Sequence, residues 1–519
     1  MIAQRLLDEI RNGKIKTAGE LELAKIKLAN QYGTGNIIKN SDIATFLSPN
    51  DSDYHKLSKF LQIKNVRTAS GVANVAVMWM HGSHENSCPA NCIYCPSSEI
   101  APKSYTGVEP TTLRAIRNNY APFLQVTNRI KQLNLIGHST DKCELIIMGG
   151  TFMATPTKFQ DEFVKRCLDA LNESDSETLE EAQIKNETST NRCVGLTIET
   201  RADFCSQEQI EHMMKLGCTR VEIGVQSTDD NILKLINRGH KAQANIDAIK
   251  RLKENGLKVC VHWMPGLTGL SGKIDENKEV EMFKQLFSPN YSPDELKIYP
   301  TLVVAGTKLH ELWKSGKYAP LTNDQAINLL IKFKKIVPPF VRIKRVMRDI
   351  SEHKSEAGAK TTNLRQLVKE KMKKSGIECR CIRCREVGHT KETTGMPELK
   401  EFTYEASGVK EIFLSYENGN ALLGFLRLRL SDTARIRELH VYGSVVPISK
   451  KDGTKKDAQS ASYILWQHKG LGKKLLERAE EIAKSSGYNS ISVTSGIGVR
   501  DYYRNLCYAF ESSYMTKKL

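Results

Sequence analysis

The sequence predicts an α/β protein: a parallel strand–helix unit, open or barrel-like, then a basic connector, then a smaller strand-rich unit with one strong helix. Three observations carry this. Short apolar runs, several rich in β-branched residues, alternate with amphipathic stretches in the first two thirds of the chain, the pattern of a parallel sheet covered by helices. From about residue 396 the rhythm changes to consecutive strand-like runs. Between them lies a sustained excess of positive charge, with 17 Lys or Arg against 5 Asp or Glu from Lys332 to Arg385. At 519 residues the chain is too long for one ordinary core, so two or three domains are expected.

Taken in order, residues 1–65 place Ala3, Leu6, Leu7 and Ile10 at helical spacing and read as a mildly basic helical region. Strand-like runs follow: VANVAVMWM (72–80), CELIIMGG (143–150), CVGLTIETR (193–201), RVEIGVQS (220–227), KVCVHWMPG (258–266) and ELKIYPTLV (295–303). KFQDEFVKRCLDAL (158–171) and AQANIDAIKRLKENG (242–256) are amphipathic helices between them. The polar, acidic segment 172–192 is expected to be a surface excursion. The parallel unit is assigned to 66–345, the basic connector to 346–395 and the last unit to 396–519. There, EIFLSYE (411–417), LLGFLRLRL (422–430) and RIRELHVYG (435–443) predict antiparallel strands. QHKGLG (467–472) opens a strong helix, and a strand at ISVTSG (491–496), a short helix and a terminal strand over 508–515 complete the unit.

Composition narrows the function. No run of about 18 apolar residues occurs, so no membrane helix is expected. The N-terminus, MIAQRLLDEIRNGKIK, lacks the apolar core of a signal peptide, so a cytoplasmic location is expected. Thirteen cysteines in that setting point to metal or reactive thiols rather than disulfides. A net charge of +17 with a concentrated basic block points to a polyanion, with nucleic acid ahead of a merely solvated helical face.

Cys88, Cys92 and Cys95 follow the first strand in the loop CPANCIYC. This is the CxxxCxxC spacing of radical S-adenosylmethionine (SAM) enzymes. Thiolate is the ligand that iron–sulfur clusters require. Three thiolates hold three irons of a 4Fe–4S cluster and leave the fourth iron for SAM. A zinc site or coincidental thiols are the competing explanations. The loop's position after a strand favours the cluster. Tyr94 is an aromatic placed to contact adenine. Gly149 and Gly150, ending the next strand, let backbone approach the SAM amino group. Glu199, Arg201 and Gln226 also end strands, where barrel sites form.

In the last unit, Gln467-His468-Lys469-Gly470-Leu471-Gly472 matches the Q/R-x-x-G-x-G/A pattern of GCN5-related acetyltransferases, between a strand and a helix. Backbone N–H groups at such a helix start can cradle the pyrophosphate of coenzyme A. ELHVYGSVVP (438–447) would be the strand beside the thioester, with Tyr502 or Tyr503 near its sulfur. In the connector, Cys379, Cys381 and Cys384 form CxCxxC, half of a zinc site. His389, His353 or a distant residue stand as the fourth ligand; a second iron–sulfur site and free thiols are the alternatives.

A radical-SAM unit joined to an acetyltransferase unit, with RTASGVANVAVM (67–78), SYTGVEPTTLRAIR (104–117), MGGTFM (148–153), ELHVYGSVVP and GVRDYYRNLCY (498–508), resembles the catalytic subunit of Elongator in its stand-alone archaeal form. The resemblance runs from about residue 65 to the end. It implies a radical-SAM partial (β/α) barrel, a zinc-bearing basic linker and a GCN5-related acetyltransferase domain. It implies carboxymethylation of C5 of the tRNA wobble uridine, with acetyl-CoA as carbon source and a 5′-deoxyadenosyl radical taking a hydrogen from the acetyl methyl group. By the same resemblance, Lys142, Glu438, Leu439, His440, Val441, Leu471, Gly472, Lys473 and Tyr503 match acetyl-CoA positions, with Lys142 and Tyr503 beside the reaction. The expected partners are the tRNA anticodon stem-loop, held by the basic N-terminal region and connector, and an electron donor. A homodimer is left open, and no obligatory accessory subunit or membrane is expected. The chain departs from the family at WMHGSHENS (79–87), where lysine and proline are usual.

Two other functions compete. A protein lysine acetyltransferase with a structural iron–sulfur domain would use Glu438 as base. A tRNA-binding module with vestigial catalytic parts is disfavoured by the intact Cys88, Cys92 and Cys95.

Overall fold

The structure, a computed structural model, describes every residue except 1, 34–37, 39, 45, 49–50, 54–56, 58–59, 62–69, 83–87, 390–395 and 444–469. Apolar residues at helical spacing form helices α1 (Ile2–Arg11), α2 (Ala18–Gln31) and α3 (Asn40–Ala44). They share a core of their own around Leu6, Leu7, Leu21 and Ile43. A capping box between Thr17 and Glu20 starts α2.

The large unit is built on β1 (Ala73–Met78), β2 (Lys142–Met148), β3 (Arg192–Thr200), β4 (Arg220–Gln226), β5 (Lys258–Trp263), β6 (Glu295–Ile298) and β8 (Arg342–Val346). They pair in parallel in that order, with β1 and β8 at the two ends, so the barrel is partial. The skipped β7 (Val303–Val304) pairs instead with β9 (Ser355–Ala357). One side chain in two along these strands is apolar: Val221, Ile223, Val259, Val261, Leu296 and Ile343 join the main core. On β4, β5, β6 and β8 the alternate positions include Arg220, Glu222, Lys258, Glu295, Lys297, Arg342 and Lys344. Strand β8 lies inside the basic block, so part of that block is barrel wall rather than connector.

The C-terminal sheet has β10 (Glu398–Ala406), β11 (Val409–Asn418), β12 (Ala421–Leu430), β13 (Ala434–Val441), β14 (Ser490–Val493), β15 (Ala509–Glu511) and β16 (Tyr514–Lys518). Its order is β10-β11-β12-β13-β14-β16-β15, antiparallel except for β13–β14. The exposed, polar pattern of β10 hides it in the sequence. Strand β14 pairs with β13 only over Ala434–Ile436, so the two strands part company before Glu438. The helix Leu471–Ser485 packs Leu475, Leu476, Ala479 and Ala483 into this unit's core.

The segment 172–192 is not a mere surface excursion. It folds into the helix Leu179–Asn186 and grips the C-terminal unit: Arg500 donates to Glu187 at 3.1 Å and to Gln183 at 3.2 Å. Beside it Gly496 runs so close to β3 that an added Cβ would lie 2.2 Å from the Val194 carbonyl oxygen. Only glycine permits that approach.

Candidate active site

At the C-terminal ends of the barrel strands, Cys88, Cys92 and Cys95 line one cavity of about 150 Å3, with Tyr94, Gly150, Glu199, Arg201 and Gln226 also on its wall. Neighbouring segments pin the loop. The Ile93 N–H donates to the Ile236 carbonyl at 3.1 Å, and the Leu309 N–H donates to the Ile93 carbonyl at 2.8 Å. The Arg238 guanidinium is buried behind the loop, donating to the Gly224 carbonyl at 2.5 Å with Nη1 3.6 Å from Cys92 Sγ. Hydrogen bonding from Cys95, helped by Arg238, brings the Cys92 thiol down to about 4 despite its burial. The same proton sharing, together with burial, pushes Cys95 well up. Thr151 Oγ1 donates to Cys88 Sγ at 3.3 Å. Three thiols converge on one cavity, and the buried Arg238 cation beside Cys92 favours its thiolate form. This donor set fits an iron–sulfur cluster.

Gly150 lines the cavity, whereas Gly149 turns behind it at φ +128°. A Cβ at 149 would lie 2.8 Å from the Trp79 carbonyl oxygen, so that glycine serves the packing of the strand end. Arg201 is engaged by Asp203 through two bonds of 2.9 and 2.7 Å and by the Arg238 carbonyl.

A second, larger cavity of about 1190 Å3 opens at the N-terminal ends of the same strands, where the barrel meets the C-terminal sheet. Lys142, Glu438, Leu439, His440, Val441, Gly470, Leu471, Gly472, Lys473 and Tyr503 all line it. Gly470 caps the helix Leu471–Ser485 at φ +82° with no side-chain cap, and the first N–H groups of the helix have no partner within it. A Cβ on Gly472 would lie 3.3 Å from Tyr502 Oη and 3.6 Å from Val441, a tight but not forbidden fit, and its absence leaves the backbone bare on the cavity wall. Arg114, Arg129, Lys258, Arg342 and Arg383 add cations to the wall. A helix N-terminus, a bare backbone and clustered cations fit a phosphate-bearing ligand such as acetyl-CoA.

Several side chains there are already committed. Glu438 accepts from Arg427 Nε at 2.9 Å and lies 3.8 Å from Lys258 Nζ. Against the cost of burial, Lys258 and Arg427 hold its carboxyl down to about 2. His440 Nε2 lies 3.0 Å from the Ser70 carbonyl and must be the donor; burial keeps the ring neutral. Burial lowers Lys142 and raises the Tyr503 phenol, which stays protonated.

The Sγ atoms of Cys379, Cys381 and Cys384 lie within 4.8 Å of one another, with Lys334 Nζ 3.3 Å from Cys384. His389 Nε2 is turned to Glu386 Oε1 at 3.0 Å. Gln467 and residues 83–87 of the departing stretch lie outside the described residues.

Sequence patterning missed the charged walls: Arg220 and Glu222 on β4, Lys258 on β5, Glu295 and Lys297 on β6, Arg342 and Lys344 on β8. The signal was present as strict alternation with apolar residues, RVEI, KVCV, ELKI and RIK.

The Radical SAM superfamily model matches residues 83–276, and the Radical_SAM C-terminal domain model matches 293–374. The "tRNA uridine(34) acetyltransferase" of Methanocaldococcus jannaschii is 44% identical, covering 100% of this chain and 97% of its own. The human "Elongator complex protein 3" is 42% identical over 96% of this chain and 93% of its own. The solved structure of Methanocaldococcus infernus Elp3 lacking its N-terminus is 43% identical, superposes with a TM-score of 0.74 and covers 87% of this chain and 100% of that one. With a three-cysteine barrel, a cation-lined cavity at its other end and full-length similarity of this degree, the chain belongs to the family of Elongator complex protein 3 and the tRNA uridine(34) acetyltransferases.

Proposed function

We propose that this chain modifies C5 of the wobble uridine of tRNA, forming 5-carboxymethyluridine with acetyl-CoA as carbon source. The observation that carries this is the pairing of two cavities on one barrel, one lined by three cysteines at the top and one lined by cations and a helix N-terminus at the bottom, the latter read as the acetyl-CoA site. When bound, the cluster and SAM supply a 5′-deoxyadenosyl radical, able to act on an unactivated methyl C–H. Cys88, Cys92 and Cys95 would hold the cluster, and Gly150 would receive SAM. The N–H groups over Gly470–Lys473 would bind the pyrophosphate, with Lys142 among the balancing cations. Tyr503, kept as a phenol, would donate a hydrogen bond near the thioester. Cys379, Cys381 and Cys384 would hold zinc. The exposed lysines of the helix Leu364–Lys374 would meet the tRNA backbone. The chain would work with tRNA and an electron donor, without an obligatory accessory subunit.

The lysine acetyltransferase alternative loses its base: Glu438 is locked between Arg427 and Lys258 and stays ionised. The test is nucleoside mass spectrometry of tRNA incubated anaerobically with cluster-loaded enzyme, SAM, acetyl-CoA and a reductant. 5-Carboxymethyluridine is expected with the natural chain and not with Cys92→Ala. A cluster-loaded, tRNA-binding enzyme that makes none overturns the assignment.

A further inference from the structure

The two cavities sit at opposite ends of the same strands. From Lys258, on the wall of the lower one, to His262, on the wall of the upper one, is four residues of β5, about 13 Å at a rise of ~3.3 Å per residue. What fills the lumen between them is unusual for a barrel. Such interiors are normally packed with Val, Ile and Leu. Here the inward positions are ionic, in two layers. In the lower layer Glu144 faces Arg220 and Lys344, and Arg220 Nε is 3.3 Å from Glu295. In the upper layer Glu222 is ion-paired with Lys297 and lies 3.0 Å from His262 Nε2, while Lys297 also approaches Glu199 at 3.5 Å. The Lys297 ammonium thus takes the place that a metal ion would need beside Glu222, Cys260 and His262.

Among the described residues one ion pair joins the two layers. Lys344 lines the lower cavity and Glu222 the upper one; Nζ and Oε1 are 4.0 Å apart. This ion pair, with the buried Cys260 thiol packed among its neighbours, forms the partition. It is loosely fastened. Lys344 reaches three carboxylates, Glu144, Glu295 and Glu222, at 3.5, 3.5 and 4.0 Å. Glu222 Oε1 receives no hydrogen bond among the described residues, with Lys344 4.0 Å away, whereas Glu295 Oε2 has Arg220 at 3.3 Å and Lys344 at 3.5 Å. The buried ion pairs of the domain joint are different: Arg437 meets Asp294 twice, at 2.9 and 2.5 Å. A buried carboxylate oxygen without a donor costs free energy. A partition that is costly when shut is one that ligands can open at modest expense. Lysine suits this better than arginine, being a flexible point charge that readily takes up water.

From this geometry we infer that the Glu222–Lys344 layer is a gate whose opening joins the coenzyme-A cavity to the cysteine cavity through the barrel lumen. The inference rests on the proposed function, since only a reaction that uses both sites needs them joined. Lys344 and Glu222 are then positioning residues: they decide whether groups held from below and from above share one space.

Cys260 reports on the gate. It lies in the lumen, fully buried, with Glu222, Glu295, Lys297 and Lys344 as its charged neighbours. Burial suppresses its thiolate, so opening would raise both access and reactivity. The experiment uses cluster-loaded full chain and iodoacetamide, with peptide-resolved mass spectrometry of Cys260 alkylation. Rates are compared with and without acetyl-CoA plus tRNA, and in Glu222→Gln, which keeps the shape and removes the charge. A rise of about tenfold is expected with both ligands, and a comparable rise in the variant without them, a modest population shift. In parallel, trideuteroacetyl-CoA is supplied with SAM and reductant. Deuterium in 5′-deoxyadenosine is expected to need tRNA in the natural chain and to lose that need in the variant. Alkylation unchanged both by the ligands and by the substitution overturns the gate, whether or not deuterium crosses. Ligand-accelerated alkylation with no modified uridine leaves the gate standing and sinks the wobble-uridine assignment instead.

Discussion

Arg437 on β13 and Asp294 at the head of β6 form a bidentate ion pair across the joint of the two large units, with Nη1 2.9 Å from Oδ2 and Nη2 2.5 Å from Oδ1. Both side chains are fully buried. Glu411 shares Arg437 at 2.8 Å and Arg429 at 2.9 Å, and Lys253 lies 3.4 Å from Glu411. The joint is thus ionic at its centre. Bidentate hydrogen-bonded ion pairs are directional where apolar contacts are not, so they fix an angle. Glu438, next along β13, pairs with Lys258 at the mouth of the barrel, which ties that angle to the shape of the lower cavity.

Arg437→Met should be costly. It leaves Asp294 and Glu411 buried with too few cations, a situation worth about 3–5 kcal/mol. The expected result is a large fall in the denaturant midpoint with the slope unchanged. The double variant Arg437→Met with Asp294→Asn should lose less than the sum of the two single losses, because the second change removes the stranded charge. Additive losses would show that the pair does not act as a unit.

Acid should loosen the same joint. Lysine and arginine neighbours hold Glu411 and Glu438 down to about 2, despite burial, from an ordinary 4.5. A depressed carboxyl gives stability that is fully present above pH 4.5 and is lost as pH falls towards 2. Lys253 moves the other way: burial lowers it from 10.5 to about 8. Below pH 8 its charge is held at a cost, and that cost is relieved as pH rises from 8 to 10.5. Denaturant midpoints against pH should fall in the acid window, and Lys253→Met should abolish a rise in the alkaline one. An alkaline profile identical in the variant would refute the assignment.

The connector cysteines predict a metal-dependent fold. Cys381 is fully buried and its sulfur lies within 4.8 Å of those of Cys379 and Cys384. Cys381→Ser should remove about one zinc per chain, read by elemental mass spectrometry, and lower the thermal midpoint, since binding energy at such a site is folding energy. A strong chelator should lower the midpoint of the natural chain and leave the variant unmoved. Full zinc content in Cys381→Ser would rule out this site.

What the sequence discloses and conceals follows from range. CPANCIYC and GLGK are local: a loop and a helix start fix their own geometry, so Cys88, Cys92, Cys95 and Gly470–Lys473 are legible. The joint is not, because Asp294, Glu411 and Arg437 are far apart in sequence and each alone looks like solvated surface. Strand β8 is masked by its own chemistry: RIKRV reads as part of a basic run, yet Arg342 and Lys344 point into a cavity wall. The helix Leu179–Asn186 reads as surface because its partner, Arg500, is over 300 residues away. Alternation in RVEI and KVCV is the one clue to a polar lumen, and it is visible only once parallel strands are set side by side.

Binding of tRNA should depend on salt through the helix Leu364–Lys374. Lys369, Lys373 and Lys374 are exposed along it, and none lines either cavity. Each phosphate neutralised by such a lysine releases condensed counterions. The slope of log affinity against log salt should therefore shrink by about 0.7–0.9 for each phosphate-bound lysine replaced. Lys373→Ala with Lys374→Ala should lower tRNA affinity at low salt and flatten that slope, with little change in the affinity for acetyl-CoA. The titration is made with an unmodified transcript at several salt concentrations. An unchanged slope would mean that this helix face does not touch the tRNA backbone. A flattened slope accompanied by weaker acetyl-CoA binding would mean that the substitutions disturb the fold rather than a direct lysine–phosphate interaction.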